Sequence, residues 1–196
     1  EPLACGQHAV NLLGGVRDET VLINGSGIIG LSAFLACKVG GAREIVLSGW
    51  GPEKRALVEG WGGTYLDVST PEGAELLQQL RVSCAFECVG MESTLRSAIS
   101  ALLPIGKLMV MGVFEQEPRI PMNDFQEGER TLYTSQAYND EIGEVMRYMA
   151  EGRYPDLEPL ITAETELEDL VEKGFEELNR NAARHAKVII RISGKH

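Results

Sequence analysis

The segment VLINGSGIIGLSAFL, residues 21–35, decides the fold of this chain. A short apolar run leads into the hexapeptide GSGIIG, and a second apolar run follows it. In a strand-turn-helix unit the first glycine permits the tight bend, the second lets backbone N–H groups approach a pyrophosphate, and the third lets helix and strand pack closely. Three glycines also fit a plain turn between buried elements, so the surrounding sequence has to decide between the two interpretations.

The sequence around the hexapeptide alternates between strand and helix patterns. Apolar runs are separated by segments whose apolar residues recur every three to four positions, the spacing of an amphipathic helix. This order predicts an α/β fold of the Rossmann type, a doubly wound parallel sheet with right-handed crossovers and strands buried on both faces. The hexapeptide opens the first unit, which favours a dinucleotide site. The apolar runs are VLIN (21–24), EIVLS (44–48), TYLDV (64–68), CAFECV (84–89) and KLMVMGV (107–113).

Composition excludes several classes of partner. The formal net charge is −11 and the isoelectric point lies near 4.8, so the protein's field repels nucleic acid and anionic membranes. A helix N-terminus can nevertheless hold a diphosphate without basic side chains. No apolar run reaches the roughly 18 residues of a bilayer span. The four cysteines lack zinc-finger or disulfide spacing, so we expect reduced, buried thiols and a cytoplasmic location.

The end of the second strand bears on the choice of cofactor. NAD-binding folds usually place an acid there, about 20 residues after the glycines, to bind the ribose 2′-hydroxyl. This chain reads EIVLSGWGPEKR, with Gly49 at that position and Glu53 four residues later. Without the carboxylate a 2′-phosphate is not repelled, and Lys54 or Arg55 can attract it. The sequence therefore favours NADP over NAD modestly, with a loop glycine and NAD held by other contacts as the alternative.

The regular alternation of strand and helix patterns ends after residue 113. A Pro-containing stretch leads into TLYTSQAY (131–138), followed by a predicted helix DEIGEVMRYMAEG, an extended piece EPLIT, a helix LEDLVEKGFEEL and a closing strand HAKVIIRI. The roughly 50 residues of this tail are too few to enclose a large core. We therefore expect them to pack against the first domain or against protein outside this chain.

Several of these motifs together resemble the medium-chain dehydrogenases and reductases, the zinc-type alcohol dehydrogenases, and most closely their butanediol and sorbitol dehydrogenase branch. The resemblance is carried by EPLACGQHAV, VLINGSGIIGLSAFLACKVGGAREIVLS, FECVG, LLPIGKLMVMGV, EPLIT, LEDLVEKGFEEL and HAKVIIRI. It implies an NAD(P)-binding Rossmann domain at 1–137, a C-terminal return segment of the catalytic domain at 138–196, and a parent protein in which the zinc-binding half precedes Glu1.

The resemblance also implies which residues contact the cofactor. The hexapeptide matches the pyrophosphate loop, Lys54 matches a basic residue near the adenosine ribose, and two strand ends match backbone around the nicotinamide. Lys187 matches a basic position near the pyrophosphate, or else is a solvated strand residue. The predicted cofactor contacts are Gly25, Ser26, Gly27, Ile28, Ile29, Gly30, Gly49, Lys54, Arg55, Val89, Gly90, Gly112, Val113 and Lys187.

Metal and proton-transfer groups are sparse. Glu1 matches the glutamate of an EPL motif at the catalytic zinc of polyol dehydrogenases, but the other ligands expected for that zinc are absent from the chain. His8, His185 and His196 have no partners that suggest catalysis, and no catalytic residue is identifiable. Trp50 either covers the adenine or is a surface aromatic.

The predicted function is hydride transfer between NAD or NADP and a secondary alcohol, diol or ketone, with zinc as Lewis acid in the full-length parent. The fragment alone is expected to bind cofactor without turnover. Two alternatives stay open: a zinc-free NADPH reductase of the quinone-reductase kind, and a non-catalytic nucleotide-binding module. Pairing through the apolar edge TLYTSQA predicts a homodimer or homotetramer.

Overall fold

The computed structural model describes residues 1–192, and its centre is a six-stranded sheet. All five pairs of neighbouring strands run parallel, and the strand order is β3-β2-β1-β4-β5-β6. This is the doubly wound Rossmann arrangement, so the predicted fold class is confirmed. The strands are β1 (Thr20–Asn24), β2 (Glu44–Gly49), β3 (Thr64–Asp67), β4 (Val82–Glu87), β5 (Leu102–Val110) and β6 (Thr131–Thr134).

The sheet has a topological switch point between β1 and β4. The chain builds outward from β1 to β2 and β3, and then crosses to β4 on the other side of β1. Because successive crossovers leave in opposite directions, the loops after β1 and β4 diverge and open a crevice at the carboxyl ends of these strands. A ligand site is therefore expected at this edge of the sheet.

Helices cover both faces of the sheet and create two apolar cores. One core contains Phe34, Leu47 and Trp61, and the other contains Leu95 and Leu108. Both cores are continuous with the central strands, whose residues are almost entirely buried. The helices are α1 (Pro2–Leu12), α2 (Ile28–Val39), α3 (Pro52–Gly60), α4 (Pro71–Gln79), α5 (Glu92–Ala101), α6 (Met122–Glu127), α7 (Glu141–Ala150) and α8 (Glu177–Arg180).

The C-terminal segment forms a separate, two-stranded parallel sheet. Its strands are β7 (Ile161–Glu166) and β8 (Lys187–Arg191), and the connection between them is helical but irregular, with a π-helical stretch before α8. The start of EPLIT is a 3-10 turn, not an extended piece, because Pro159 suits the first turn of a helix. Two strands cannot form a stable sheet alone, which fits the expectation that this segment packs against the first domain or against protein outside this chain; Leu160 and Ala186 belong to the core that contains Phe34.

Helix α7 is held against α1 by polar contacts. The Nδ1 atom of His8 lies 2.8 Å from Oε1 of Glu141, and Asn11 donates to Oε2 of Glu144 at 2.9 Å. Partial burial raises the pKa of the Glu141 carboxyl, but hydrogen bonds from His8 and the backbone N–H of Asn139 outweigh it and bring the pKa to about 2. The start of the predicted return segment is thus fixed to the first helix of the chain.

Two expectations from composition concern membranes and thiols. Among residues 1–192 no helix has both the length and the apolar character needed to cross a bilayer. The four cysteines are free thiols; Cys5, Cys37 and Cys84 are buried and Cys88 is half-buried. Burial raises the pKa of the Cys84 thiol to about 12, so this side chain behaves as a small apolar residue.

Candidate cofactor-binding site

A cavity of about 460 Å³ lies at the carboxyl ends of β1, β2 and β4. This is the crevice that the strand order predicts. Its volume falls in the usual range of small-molecule sites. The lining residues are Gly25, Ser26, Gly27, Ser48, Gly49, Trp50, Lys54, Val68, Cys88, Val89, Met91, Ser93, Thr94 and Ala182.

The three glycines of the hexapeptide have different reasons to lack a side chain. Gly25 has φ of +115°, and a Cβ there would lie 2.7 Å from Cγ2 of Val89. A Cβ on Gly30 would lie 1.8 Å from the carbonyl oxygen of Gly25. Gly27 has an ordinary φ of −72°, and a Cβ there would meet nothing within 4 Å. The fold therefore requires the first and third glycines but does not require the second.

Gly27 is the N-cap of α2 and lines the cavity. No side chain caps this end, and the first intrahelical bond runs from the N–H of Leu31 to the carbonyl of Gly27 at 2.9 Å. The N–H groups of Ile28, Ile29 and Gly30 precede that bond and have no intrahelical acceptor. These donors and the helix dipole suit a diphosphate placed at the hexapeptide.

A buried polar network supports the floor of the cavity, and sequence reasoning missed it. Asn24 is fully buried; its Nδ2 donates to the Thr94 carbonyl and to Ser97 Oγ, both at 2.8 Å. Its Oδ1 accepts a hydrogen bond from Ser48 Oγ at 2.7 Å. The network ties β1, β2 and α5 together. The sequence feature that could have indicated this network is Asn24, an amide at the end of the otherwise apolar run VLIN.

At one end of the cavity, here called the β2 end and formed by Ser26, Gly49, Lys54 and Tyr65, side chains fill the space beside the glycine. A Cβ on Gly49 would lie 2.3 Å from Ser26 Oγ and 3.0 Å from the Tyr65 hydroxyl oxygen. Burial raises the pKa of the Tyr65 phenol to about 12, and the neighbouring Ser26 partly offsets this. The enclosed hydroxyl makes no hydrogen bond of ordinary geometry within the described chain.

The two basic residues predicted for this end have different surroundings. The Lys54 side chain is buried, and its Nζ donates to the carbonyls of Ser26 at 3.1 Å and His185 at 2.6 Å. Burial lowers the pKa of Lys54, and the nearby Glu53 opposes this. Arg55 lies outside the cavity, paired with Glu59 at 3.2 Å and placed over the Tyr65 ring. Lys54 thus links the hexapeptide loop to the C-terminal segment.

A second cavity of about 500 Å³ adjoins the first and shares Val89 and Met91 with it. It also contains the predicted Gly90 and Val113. Here backbone approaches backbone: Gly90 has φ of +86°, and a Cβ on Gly112 would lie 2.2 Å from the Gly90 nitrogen. We call the region formed by Glu87, Gly90 and Gly112 the β4–β5 end.

Glu87 holds the β4–β5 end, and sequence reasoning missed this residue too. Its fully buried carboxylate accepts hydrogen bonds from the N–H groups of Val89 and Gly90 at 2.9 Å and from Thr94 Oγ1 at 2.7 Å. Its carbonyl accepts from the N–H of Gly112 at 3.0 Å. The sequence feature that could have indicated this role is an acid at the end of a buried strand, because a buried carboxylate must be hydrogen-bonded.

Four further predicted contacts, Ile28, Ile29, Gly30 and Gly112, do not line either cavity. Lys187 is exposed at the start of β8 and does not line either cavity, and Trp50 lines the first cavity with 55% of its surface exposed. Glu1 precedes α1, and its carboxylate accepts a weak hydrogen bond from Cys5 Sγ at 3.3 Å. Within residues 1–192 no three His, Cys, Asp or Glu side chains could together hold a metal ion. His196 lies outside the described residues.

Comparisons with known proteins agree with this geometry. The family model described as zinc-binding dehydrogenase matches residues 29–151. The (R,R)-butanediol dehydrogenase of Bacillus subtilis (strain 168) is 30% identical over 195 residues, which cover 97% of this chain and 56% of the relative. The galactitol 1-phosphate 5-dehydrogenase of Escherichia coli (strain K12) is 27% identical over 200 residues, covering 95% of this chain and 56% of the relative.

A solved structure gives the same result. The crystal structure of 2R,3R-butanediol dehydrogenase from Bacillus subtilis has a TM-score of 0.87 and 29% identity, covering 98% of this chain and 56% of that chain. This chain therefore spans about half the length of the relatives it matches. The resemblance noted in the sequence is confirmed: the chain belongs to the zinc-binding dehydrogenase family.

Proposed function

We propose that this chain is the cofactor-binding portion of an NAD(P)-dependent, zinc-type alcohol or polyol dehydrogenase. The observation that supports this most directly is the free space at Gly27. The fold does not explain the missing side chain there, whereas a pyrophosphate approaching the N-terminus of α2 does. The family relatives named above, which are dehydrogenases of a diol and of a polyol phosphate, agree with this function.

The residues of this chain bind and orient the dinucleotide in the proposed function. The first turn of α2 would hold the pyrophosphate, the β2 end would hold the adenosine, and the β4–β5 end would hold the nicotinamide. When bound, the nicotinamide ring supplies the hydride acceptor or donor. Gly90 and Gly112 let the backbones of the two loops at the β4–β5 end pack directly against each other, and Glu87 keeps the loop after β4 in this shape.

The residues of this chain do not by themselves fit a zinc site. Glu1 supplies one carboxylate and Cys5 lies beside it, but no third His, Cys, Asp or Glu side chain joins them in the described chain. A catalytic zinc usually has three protein ligands. We propose that the zinc ligands belong to a part of the parent protein that this chain does not include, and that the substrate is a secondary alcohol or diol.

A glycine substitution tests nucleotide binding separately from folding. Gly27→Ala places a methyl group in open space, so we expect only a small fall in melting temperature, from the poorer N-cap, and a loss of NADPH and NADH affinity of about 100-fold, since the methyl occupies the pyrophosphate approach. Titration of nucleotide fluorescence and a thermal melt measure the two effects. Gly143→Ala, at another glycine with free space, is the matched control. Unchanged affinity in Gly27→Ala would contradict the pyrophosphate assignment.

The enzymatic part of the proposal needs the full-length protein. We expect bound zinc and oxidation of a diol with NAD(P) reduction, both measured on the purified protein. Reduction of quinones by NADPH in a zinc-free protein would favour the quinone-reductase alternative. Nucleotide binding without any turnover would favour a non-catalytic module.

We further propose a homodimer or homotetramer in the cytoplasm. Strand β6 lies at the edge of the sheet, and its Leu132 is 40% exposed. An apolar edge strand invites pairing with a second copy. Leu132→Lys is expected to lower the oligomeric mass measured by light scattering, and a monomeric wild type would contradict the proposal. The free cysteines suit a reducing compartment.

A further inference from the structure

The structure shows why residue 49 has no side chain. Gly49 does not have a positive φ, so its backbone would accept any residue. The obstacle is space: a Cβ on Gly49 would lie 2.5 Å from the Cβ of Ser26 as well as 2.3 Å from its Oγ. The Ser26 Cβ is attached to the backbone of the hexapeptide loop. No rotation of the Ser26 hydroxyl therefore frees the space.

Tyr65 closes the same space from the neighbouring strand. Its hydroxyl oxygen lies 3.0 Å from the position of a Cβ on Gly49. The side chain is 4% exposed and packs in the core that contains Phe34 and Leu47. Because close-packed neighbours hold the ring, it cannot move aside without loss of packing. Ser26 and Tyr65 together occupy the place from which an acid on residue 49 would start.

The charges that line the first cavity favour an anion, and Asp67, the register partner of Gly49 on β3, lies outside this cavity. None of the residues that line the first cavity is an aspartate or glutamate. The Lys54 ammonium is 1% exposed and donates only to carbonyls in the described chain, while the neighbouring Glu53 lies 3.8 Å from Arg184 instead. A buried cation without a carboxylate partner is stabilised by an anionic ligand.

We propose that Ser26 and Tyr65 keep residue 49 a glycine and, together with the Lys54 charge, make this site select the dinucleotide that carries a 2′-phosphate. An acid at this position would bind the 2′-hydroxyl of NAD and repel the 2′-phosphate of NADP. The inference rests on the proposed function, because it assigns the β2 end to the adenosine ribose. Cofactor choice would then depend on Ser26, Tyr65 and Lys54 together with residue 49, and not on residue 49 alone.

The test measures the affinities of the full-length protein for NADPH and NADH by nucleotide fluorescence, with a thermal melt of each variant. Wild type is expected to bind NADPH at least about tenfold more tightly. Gly49→Asp alone is expected to lower the melting temperature and weaken both nucleotides, because the side chain does not fit. The triple variant Ser26→Gly, Gly49→Asp, Tyr65→Phe frees the space and is expected to prefer NADH.

Two controls and the variant Lys54→Met separate the effects of the freed space, the added acid and the Lys54 charge. Ser26→Gly with Tyr65→Phe is expected to keep the NADPH preference, since no acid is added. Gly143→Asp adds the same charge at an exposed helical glycine with free space and is expected to change neither the preference nor the melting temperature. Lys54→Met is expected to weaken NADPH more than NADH, because only NADPH carries the additional phosphate.

Several results would overturn the inference. A wild type that prefers NADH would do so, and so would a Gly49→Asp variant that melts normally and switches to NADH by itself. Equal losses for both nucleotides in Lys54→Met would remove the role of its charge. If the multiple variants fail to fold, the wild-type preference and Lys54→Met still decide. Binding of NADH alone leaves the proposed function standing, whereas binding of neither nucleotide overturns both.

Discussion

At the β2 end of the cavity, side chains fill the space around a glycine, whereas at the β4–β5 end backbone groups do. Ser26 and Tyr65 crowd Gly49, and one of the two hydroxyls is enclosed without a hydrogen bond of ordinary geometry. Glu87, in contrast, satisfies two N–H groups and a hydroxyl. In the proposed function the β2 end therefore determines which ligand fits, while the β4–β5 end depends on polar contacts for its own fold.

The two ends also differ in charge. The first cavity has Lys54 and no acid among its lining residues, whereas Glu92, Glu115 and Glu117 line the second cavity. An extended dinucleotide would thus have its phosphate groups near the basic end and its nicotinamide near the acidic end. Such a gradient favours one orientation of the ligand over the reverse.

The largest effect is expected from removing the carboxylate of the β4–β5 end. Glu87→Ala leaves the N–H groups of Val89 and Gly90 without their partner in a buried place and removes one of the two acceptors of the Thr94 hydroxyl, so we expect a loss of about 4 kcal/mol in the free energy of unfolding. Urea denaturation measures it. Glu87→Gln keeps the volume and one carbonyl oxygen and should lose about half as much. If Glu87→Ala lowers the free energy of unfolding no more than a substitution at an exposed position does, the contrast between the two ends is wrong.

A smaller effect of opposite sign is expected at the β2 end. Tyr65→Phe removes an enclosed hydroxyl that forms no ordinary hydrogen bond, so the protein should become more stable by about 1 kcal/mol. The same denaturation experiment checks this. The variant retains the ring, and hence the packing around Leu47. Destabilisation by Tyr65→Phe would show that the hydroxyl is needed for the fold, and the contrast between the two ends would disappear.

The smallest effect concerns Lys54 and pH. Burial lowers the pKa of Lys54 in the folded protein below the ordinary value of 10.5, so the unfolded chain binds this proton more tightly. The contribution of Lys54 to the free energy of unfolding therefore rises with pH between its pKa in the folded protein and 10.5. We expect the unfolding free energy of wild type minus that of Lys54→Met to increase over this interval, and saturating NADPH to shift the increase to higher pH. If this difference stays constant or falls as the pH rises, the lowered pKa of a buried Lys54 is contradicted.

The sequence predicted the sheet and the hexapeptide loop because both depend on local patterns. Strands such as VLIN are continuous apolar runs, and the glycines lie between a strand and a helix. It did not predict that Tyr65 meets Gly49, because they lie on different strands and only the register of β2 and β3 brings them together. Nor did it predict that the Lys54 amine would be held by the His185 carbonyl, 131 residues away.

Two predictions remain as predictions. The boundary at residue 137 follows from the resemblance, and the structure adds that α7, just beyond it, is hydrogen-bonded to α1. The list of cofactor contacts also stands as a prediction; its members that line neither of the two cavities are Ile28, Ile29, Gly30, Arg55, Gly112 and Lys187. Long, flexible side chains at exposed positions are the least predictable part of such a list, because spacing along the chain does not fix where their charged ends lie.

The unequal surroundings of Gly25, Gly27 and Gly30 have a consequence for mutational scanning. A library of variants selected only for folding should retain the first and third glycines, where a Cβ would collide with other atoms, and should accept other N-cap residues at the second. A library selected for nucleotide binding should retain all three. The difference between the two libraries at a single codon would report ligand recognition without any assay of catalysis.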